Sequence, residues 1–302
     1  MGASRTLPTS GREKITQILE QAAAELPGCG LAICDVDGVV YEEYTAYLGE
    51  FKASRSADPF QVAVLQMVQR GELGLDTPVS EFLPQLSTPL RIFERLDDEG
   101  KPVYRHTSTE ITLSMMLNQS AGFGGEFREK VVAWKSSLPD GSPGKGFVNS
   151  CKKVYQYGNA CEKADIEYPV GGGGIYSTCS DYVKLLHHLL AIKSGEGKVE
   201  PTPILSSDLV STLFAPTLLP NARKSMTALF GDLYQAKEDG ELDWSTGMCL
   251  YLKDEPRGGW GRHKGSAGWM GAAGTEFWID PDAKIAYKVK LEKAIYEALE
   301  TE

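Results

Sequence analysis

The stretch GLAICDVDGVVYEEYTAYLG, residues 30–49, mixes apolar and polar side chains at near-alternating positions on either side of Asp37-Gly38. An Asp-Gly pair between two such runs signals a two-residue hairpin, because the turn needs a backbone conformation that glycine adopts without steric cost. The chain therefore commits early to antiparallel pairing. Before the hairpin, residues 11–26 carry Ile15, Ile18, Leu19, Ala22 and Leu26 at helical spacing, and Pro27-Gly28 ends the run. After it, residues 58–70 have Pro59 near a helix start and Gly71 just past its end, with Val62, Leu65, Met67 and Val68 on a broad apolar face.

Further along, 111–119 reads as a short helix, and 126–170 is rich in Gly, Pro, Ser and Lys without sustained periodicity. Gly171 to Gly174 form a tight lead into a helix over SDYVKLLHHLLAI, for which Ser177 and Thr178 supply cap-type side chains. LDWSTGMCLYL and GTEFWIDP read as strands, and KVKLEKAIYEALE, residues 288–300, reads as a closing helix. No internal repeat is evident.

Composition narrows the function. Hydrophobic residues at 42% and charged residues at 24% belong to an ordinary packed protein of 302 residues. A net charge of −10 argues against a nucleic-acid partner, which needs a basic footprint, and favours small-molecule chemistry. No apolar run reaches the roughly 18 to 20 residues that span a bilayer, so no membrane partner is expected and the expected location is cytoplasmic. The oligomeric state is not legible. Six cysteines form no C-x-x-C pair, and the adjacent His187 and His188 point to different helix faces, so neither a metal site nor a cofactor is expected and the thiols read as free.

Five blocks, in order, carry a resemblance. They are PGCGLAICDVDGVVYEEYTAYLG, VAVLQMVQRGELGLDTPVSEFLPQL, ITLSMMLNQSAGF, GGGGIYSTCSDYVKLLHHLL and GSAGWMGAAGTEFWIDP. Together they resemble the serine β-lactamase and penicillin-binding-protein family, in the class C β-lactamase-related esterase and transesterase branch that includes fungal lovastatin-type acyltransferases. The resemblance implies an α+β fold: an antiparallel sheet flanked by N- and C-terminal helices, with a reduced helical region forming a cleft. Residues 1–302 are then one domain, with a sheet subdomain at about 11–50 and 240–302 and a helical and loop subdomain at about 51–239. The terminal helices, 11–26 and 288–300, should pack on one face of the sheet and bury Ile15, Leu19, Leu291 and Ile295.

Aligned without gaps on VAVLQ, the family's Ser-x-x-Lys stretch falls on Ser54-Arg55-Ser56-Ala57. Ser54 is then the nucleophile, at a helix N-terminus whose dipole favours a developing negative charge. The general base that would lie one turn on is replaced by Ala57, and Lys52, two residues before Ser54, would need a changed local backbone to stand in for it. The family's Tyr-x-Asn motif matches Tyr157-Gly158-Asn159, which gives Tyr157 a part in proton transfer and Asn159 a part in substrate binding. Its third motif matches Trp269-Met270-Gly271. There Gly271 lets the strand backbone approach an acyl group and Trp269 walls the pocket, while a backbone N–H joins that of Ser54 as an oxyanion hole. The family's insert between Asn159 and Gly171, and its strand and loop after GTEFWIDPDAKIA, both look shortened.

Three readings follow. The first is a serine acyl-transfer enzyme that forms an acyl-Ser54 intermediate from a small-molecule ester, thioester or amide. The second is a catalytically impaired relative that binds or does nothing, in keeping with Ala57. The third treats LAICDVDGVVY as the Asp-x-Asp-Gly motif of haloacid-dehalogenase-like phosphatases, with Asp35 as a Mg²⁺-assisted nucleophile. Proximity of Ser54 to Trp269 across the cleft is the geometry that the first reading requires.

Overall fold

The computed structural model describes residues 7–25, 28–46, 58–123, 134, 136, 137, 177–197, 199, 202–234, 236, 238–253, 261–270 and 276–288. The chain divides into two compact units, Met1–Glu72 with Ile175–Glu302, and Leu73–Gly174.

The first unit is built on a seven-stranded sheet. Its strands are β1 (Gly28–Asp35), β2 (Val39–Ala46), β5 (Leu242–Trp244), β6 (Cys249–Tyr251), β7 (Ser266–Met270), β8 (Glu276–Asp280) and β9 (Ile285–Lys288). They lie in the order β2-β1-β9-β8-β7-β6-β5, and every pair is antiparallel. The early hairpin and the late strands thus share one sheet, as the sequence pattern predicts. Asp35 closes the hairpin: its carboxylate accepts from the backbone N–H groups of Asp37 and Gly38 at 2.8 and 3.0 Å. Gly38 takes φ of 148°, a conformation that L side chains rarely adopt, which is why glycine stands there.

Two elements differ from the sequence reading. LDWSTGMCLYL is two strands, because the Ser245 hydroxyl and backbone close a turn on Met248. The strand IAYK at 285–288 inserts between β1 and β8, where a helix beginning at 288 is expected. Four residues are too few to display alternation beside the helix-like spacing that follows them. The remainder of that expected helix, with Leu291 and Ile295, lies outside the described residues.

Helix α1 (Thr9–Glu25) packs on one face of the sheet and fully buries Ile15 and Leu19 against Ile33, Tyr41 and Tyr287. Burial of each such side chain contributes about 1.5–3 kcal/mol. Polar contacts fix the docking angle: Arg12 donates to the Val40 carbonyl at 2.8 Å, and Thr16 and Tyr41 both donate to Glu43.

Four further helices of this unit are α2 (Asp58–Gln69), α4 (Cys179–Ser194), α5 (Ser207–Thr212) and α6 (Pro220–Tyr234). The predicted cap is present on α4, where the Thr178 hydroxyl accepts from the Asp181 N–H at 3.0 Å. At its other end Gly195 takes φ of 66°. Tyr182 of α4 meets Phe277, with ring centroids 5.7 Å apart. Met226 and Tyr234 of α6 instead join the core that contains α1.

The second unit contains the antiparallel hairpin of β3 (Leu90–Leu96) and β4 (Pro102–Thr107), which the sequence reading missed, and the short helix α3 (Leu113–Leu117). Thr112 caps α3 by accepting from the Met115 N–H. Within this unit the Trp134 indole donates to the Tyr104 hydroxyl at 2.9 Å.

Candidate functional site

Of the residues that the motifs single out, Trp269 is described; Ser54, Ala57, Tyr157, Asn159 and Gly271 lie outside the described residues. Helix α2 begins at Asp58, directly after the Ser54–Ala57 stretch, so the apolar run that anchors that register is helical as expected.

Trp269 occupies the next-to-last position of β7. Register pairs it with Phe277, and strand alternation would send both side chains to one face. Phe277 does face Tyr182 of α4. The Trp269 indole instead meets Trp244 edge-on at 4.5 Å, Phe230 at 5.3 Å and Tyr234, roughly stacked, at 6.3 Å. These ring neighbours belong to β5 and α6. The strand's glycine has a packing reason as well, since a Cβ on Gly268 would fall 2.1 Å from the Trp278 ring and 2.3 Å from the Phe277 carbonyl oxygen.

A buried ion pair braces the same end of the sheet. Arg262 donates to Glu276, which stands opposite Met270 in register, and both side chains are buried. The guanidinium lies 3.8 Å from the Trp278 ring centroid and 5.4 Å from that of Tyr234, so the charge is met by a carboxylate and by aromatic faces. Nearby, the fully buried Asp243 pairs with Arg223 at 2.6 Å and accepts from the N–H groups of Thr217, Leu218 and Trp244.

On the α4 side a narrow crevice, with room for about one water at most, lies between the first turns of α2, helix α4, the β5–β6 turn and β8. Val62, Leu186, Leu213, Met248 and Phe277 supply apolar walls, and Gln61 supplies an amide. The amide oxygen of Gln61 is buried without a hydrogen-bond partner. Gly247, at φ of 154°, allows the close approach, since a Cβ there would lie 2.8 Å from the Gln61 Cγ.

Burial pushes the thiols of Cys34 and Cys249 well above the usual thiol range, so both stay protonated. Cys34 and Cys249 are free thiols. His187 and His188 do point apart, the first meeting the Val36 carbonyl at 3.1 Å and the second accepting from the Ile204 N–H at 2.8 Å. Among the described residues no three metal-ligating side chains come together, and no helix is long and apolar enough to cross a membrane.

No protein-family model and no curated protein matches the sequence. Among solved structures the chain is similar to simvastatin synthase (LovD) from Aspergillus terreus, with a TM-score of 0.76 at 18% identity over 97% of this chain and 99% of that one. It is also similar to EstCE1, described as a hydrolase with promiscuous acyltransferase activity, with a TM-score of 0.64 at 14% identity over 96% and 98% of the two chains. A penicillin-binding protein homologue from Pyrococcus abyssi aligns with a TM-score of 0.56 at 15% identity, over 97% of this chain and 76% of that one. This chain has the β-lactamase and penicillin-binding-protein fold.

That fold removes the phosphatase reading of Asp35. A haloacid-dehalogenase-like site needs strand-helix units and a parallel sheet, whereas β1 turns straight into antiparallel β2 and the Asp35 carboxylate is spent on the turn. The sequence reading also passed over Arg262, Glu276, Asp243 and Gln61. For Gln61 a signal exists, because a glutamine four residues after Ala57 continues the Ser54–Ala57 helical spacing.

Proposed function

We propose that this β-lactamase-fold protein is a serine acyl-transfer enzyme that acts on a small-molecule ester, thioester or amide. In this reading the Ser54 hydroxyl adds to the substrate carbonyl and Tyr157 shuttles its proton to the departing group. The carbonyl oxygen, negative in the tetrahedral intermediate, is met by backbone N–H groups at Ser54 and on the strand near Gly271. Water or a small alcohol then adds to the acyl-Ser54 carbonyl, the acyl–oxygen bond to Ser54 breaks, and the proton returns to Ser54. Asn159 contacts the substrate, whereas the Trp269 side chain, expected to wall the pocket, packs against Trp244, Phe230 and Tyr234 and contributes through its strand.

The observation that carries this reading is the end-to-end likeness in fold to simvastatin synthase and EstCE1, combined with a helix that starts where the Ser54 register requires one. One residue favours the alternative of a catalytically impaired relative: Ala57 cannot accept a proton, and loss of a positioned base costs about 10²- to 10⁴-fold in rate. Intact-protein mass spectrometry after exposure to a fluorophosphonate separates the two. A single phosphonyl adduct that disappears in Ser54→Ala supports the enzyme, and an unmodified parent protein supports the impaired relative.

A further inference from the structure

The irregular segment 202–206, which leads into α5, is held by side chains from two helices. His188 of α4 accepts from the Ile204 N–H at 2.8 Å, Gln66 of α2 donates to the Ile204 carbonyl at 3.3 Å, and Gln69 of α2 accepts from the Ser206 N–H at 2.6 Å. Leu205, between these points, is fully buried. Irregular backbone must find its partners outside a ladder, and here α2 and α4 supply them. The two glutamine bonds do not respond to pH. The histidine bond does, because an imidazole nitrogen accepts only while it carries no proton.

The charges around this clamp leave His188 to titrate against the segment itself. Burial and the adjacent His187 hold its pKa below the ordinary imidazole range. One turn earlier on α4, Lys184 pairs with Asp181 at 2.8 Å. Helix α2 meets the segment with neutral amides, and its neighbour Arg70 pairs with Glu72 at 2.6 Å. Helix α5 brings Asp208 in its first turn. Among the described residues no carboxylate is hydrogen-bonded to His188, so a protonated ring would set its own N–H against that of Ile204 without compensation.

We propose that the segment 202–206 is an acid-released strap: a proton taken from solvent by His188 turns the ring from acceptor to donor, the strap lifts from α4, and Leu205 is uncovered while the sheet stays folded. Its release also loosens the hold of Gln66 and Gln69 on α2. If the acyl-transfer reading holds, this is the helix that starts directly after Ser54–Ala57, although the strap itself does not depend on that reading.

The test is residue-resolved backbone hydrogen exchange on the intact protein, corrected for the intrinsic effect of pH on exchange. It needs no turnover, so its outcome is independent of whether Ser54 is a nucleophile. Protection at Ile204 and Ser206 should fall by roughly ten-fold or more from about pH 7.5 to about pH 5, with β1 and β8 unchanged. In His188→Gln, whose amide oxygen can accept at either pH, the fall should disappear. Protection at Ile204 that does not change with pH, a fall that persists in His188→Gln, or a parallel loss across β1 and β8 would overturn the proposal.

Discussion

Arg262 pairs with Glu276 beneath the aromatic group that holds Trp269, its guanidinium 3.8 Å from the Trp278 ring centroid. The two residues are far apart in sequence and meet because β7 and β8 fold back on each other. Removing one partner strands a charge in the core, and breaking a buried pair costs about 3–5 kcal/mol. Arg262→Met should therefore lower the urea midpoint sharply, while the double variant Arg262→Met with Glu276→Leu should recover much of the loss. Equal destabilisation of single and double variants would mean that shape, not charge, is what Arg262 contributes.

Gly268 makes a second stability prediction. An added methyl group would meet the Trp278 ring and the Phe277 carbonyl well inside contact distance, and neither is the free end of a flexible side chain. Gly268→Ala should cost at least the 1–3 kcal/mol typical of overpacking. It should also perturb near-ultraviolet circular dichroism, because Trp278 and its neighbours must move.

His188 gives a pH dependence with a definite sign. Burial, assisted by the adjacent His187, lowers its pKa below the ordinary 6.5, and its Nε2 accepts from the Ile204 N–H. The neutral form is the one the fold uses. Its contribution is fully present above the unfolded pKa, near 6.5, and is lost as pH falls through the lower folded value. Urea midpoints measured between pH 8 and 5 should fall on the acid side in the parent protein. His188→Gln, whose amide oxygen can accept the same N–H, should flatten that part of the curve.

What the sequence revealed follows from what local chemistry controls. The Asp37-Gly38 turn was legible because Asp35 and Gly38 settle it among themselves. The helices at 9–25, 58–69 and 179–194 were legible through caps and apolar spacing. LDWSTGMCLYL was legible as strand, but not the turn that divides it into β5 and β6, and β9, with four residues, is too short to alternate visibly and became a strand through its neighbours in the sheet. Helix α6 was obscured by Leu229, an apolar residue that stays exposed on it. The Arg262–Glu276 and Arg223–Asp243 pairs depend on register between separate elements, which no spacing along the chain encodes.

The sharpest test of the proposed chemistry restores what the sequence lacks. With Ser54 as nucleophile, position 57 lies one helical turn on, where its side chain can reach the serine hydroxyl. A lysine there, directly before the N-terminus of α2, has its amine pushed toward the neutral form that accepts a proton. Ala57→Lys should raise p-nitrophenyl ester turnover by roughly ten-fold or more, the low end of general-base effects. The gain should disappear when Ser54→Ala is added, because a base without its nucleophile does nothing for this route. A gain that persists in the double variant would assign the turnover to the lysine amine acting alone. No gain in a folded Ala57→Lys variant would break either the register that places Ser54 opposite the family's serine or the assumption that the rest of the site is intact, and the fluorophosphonate adduct on the parent protein distinguishes those two.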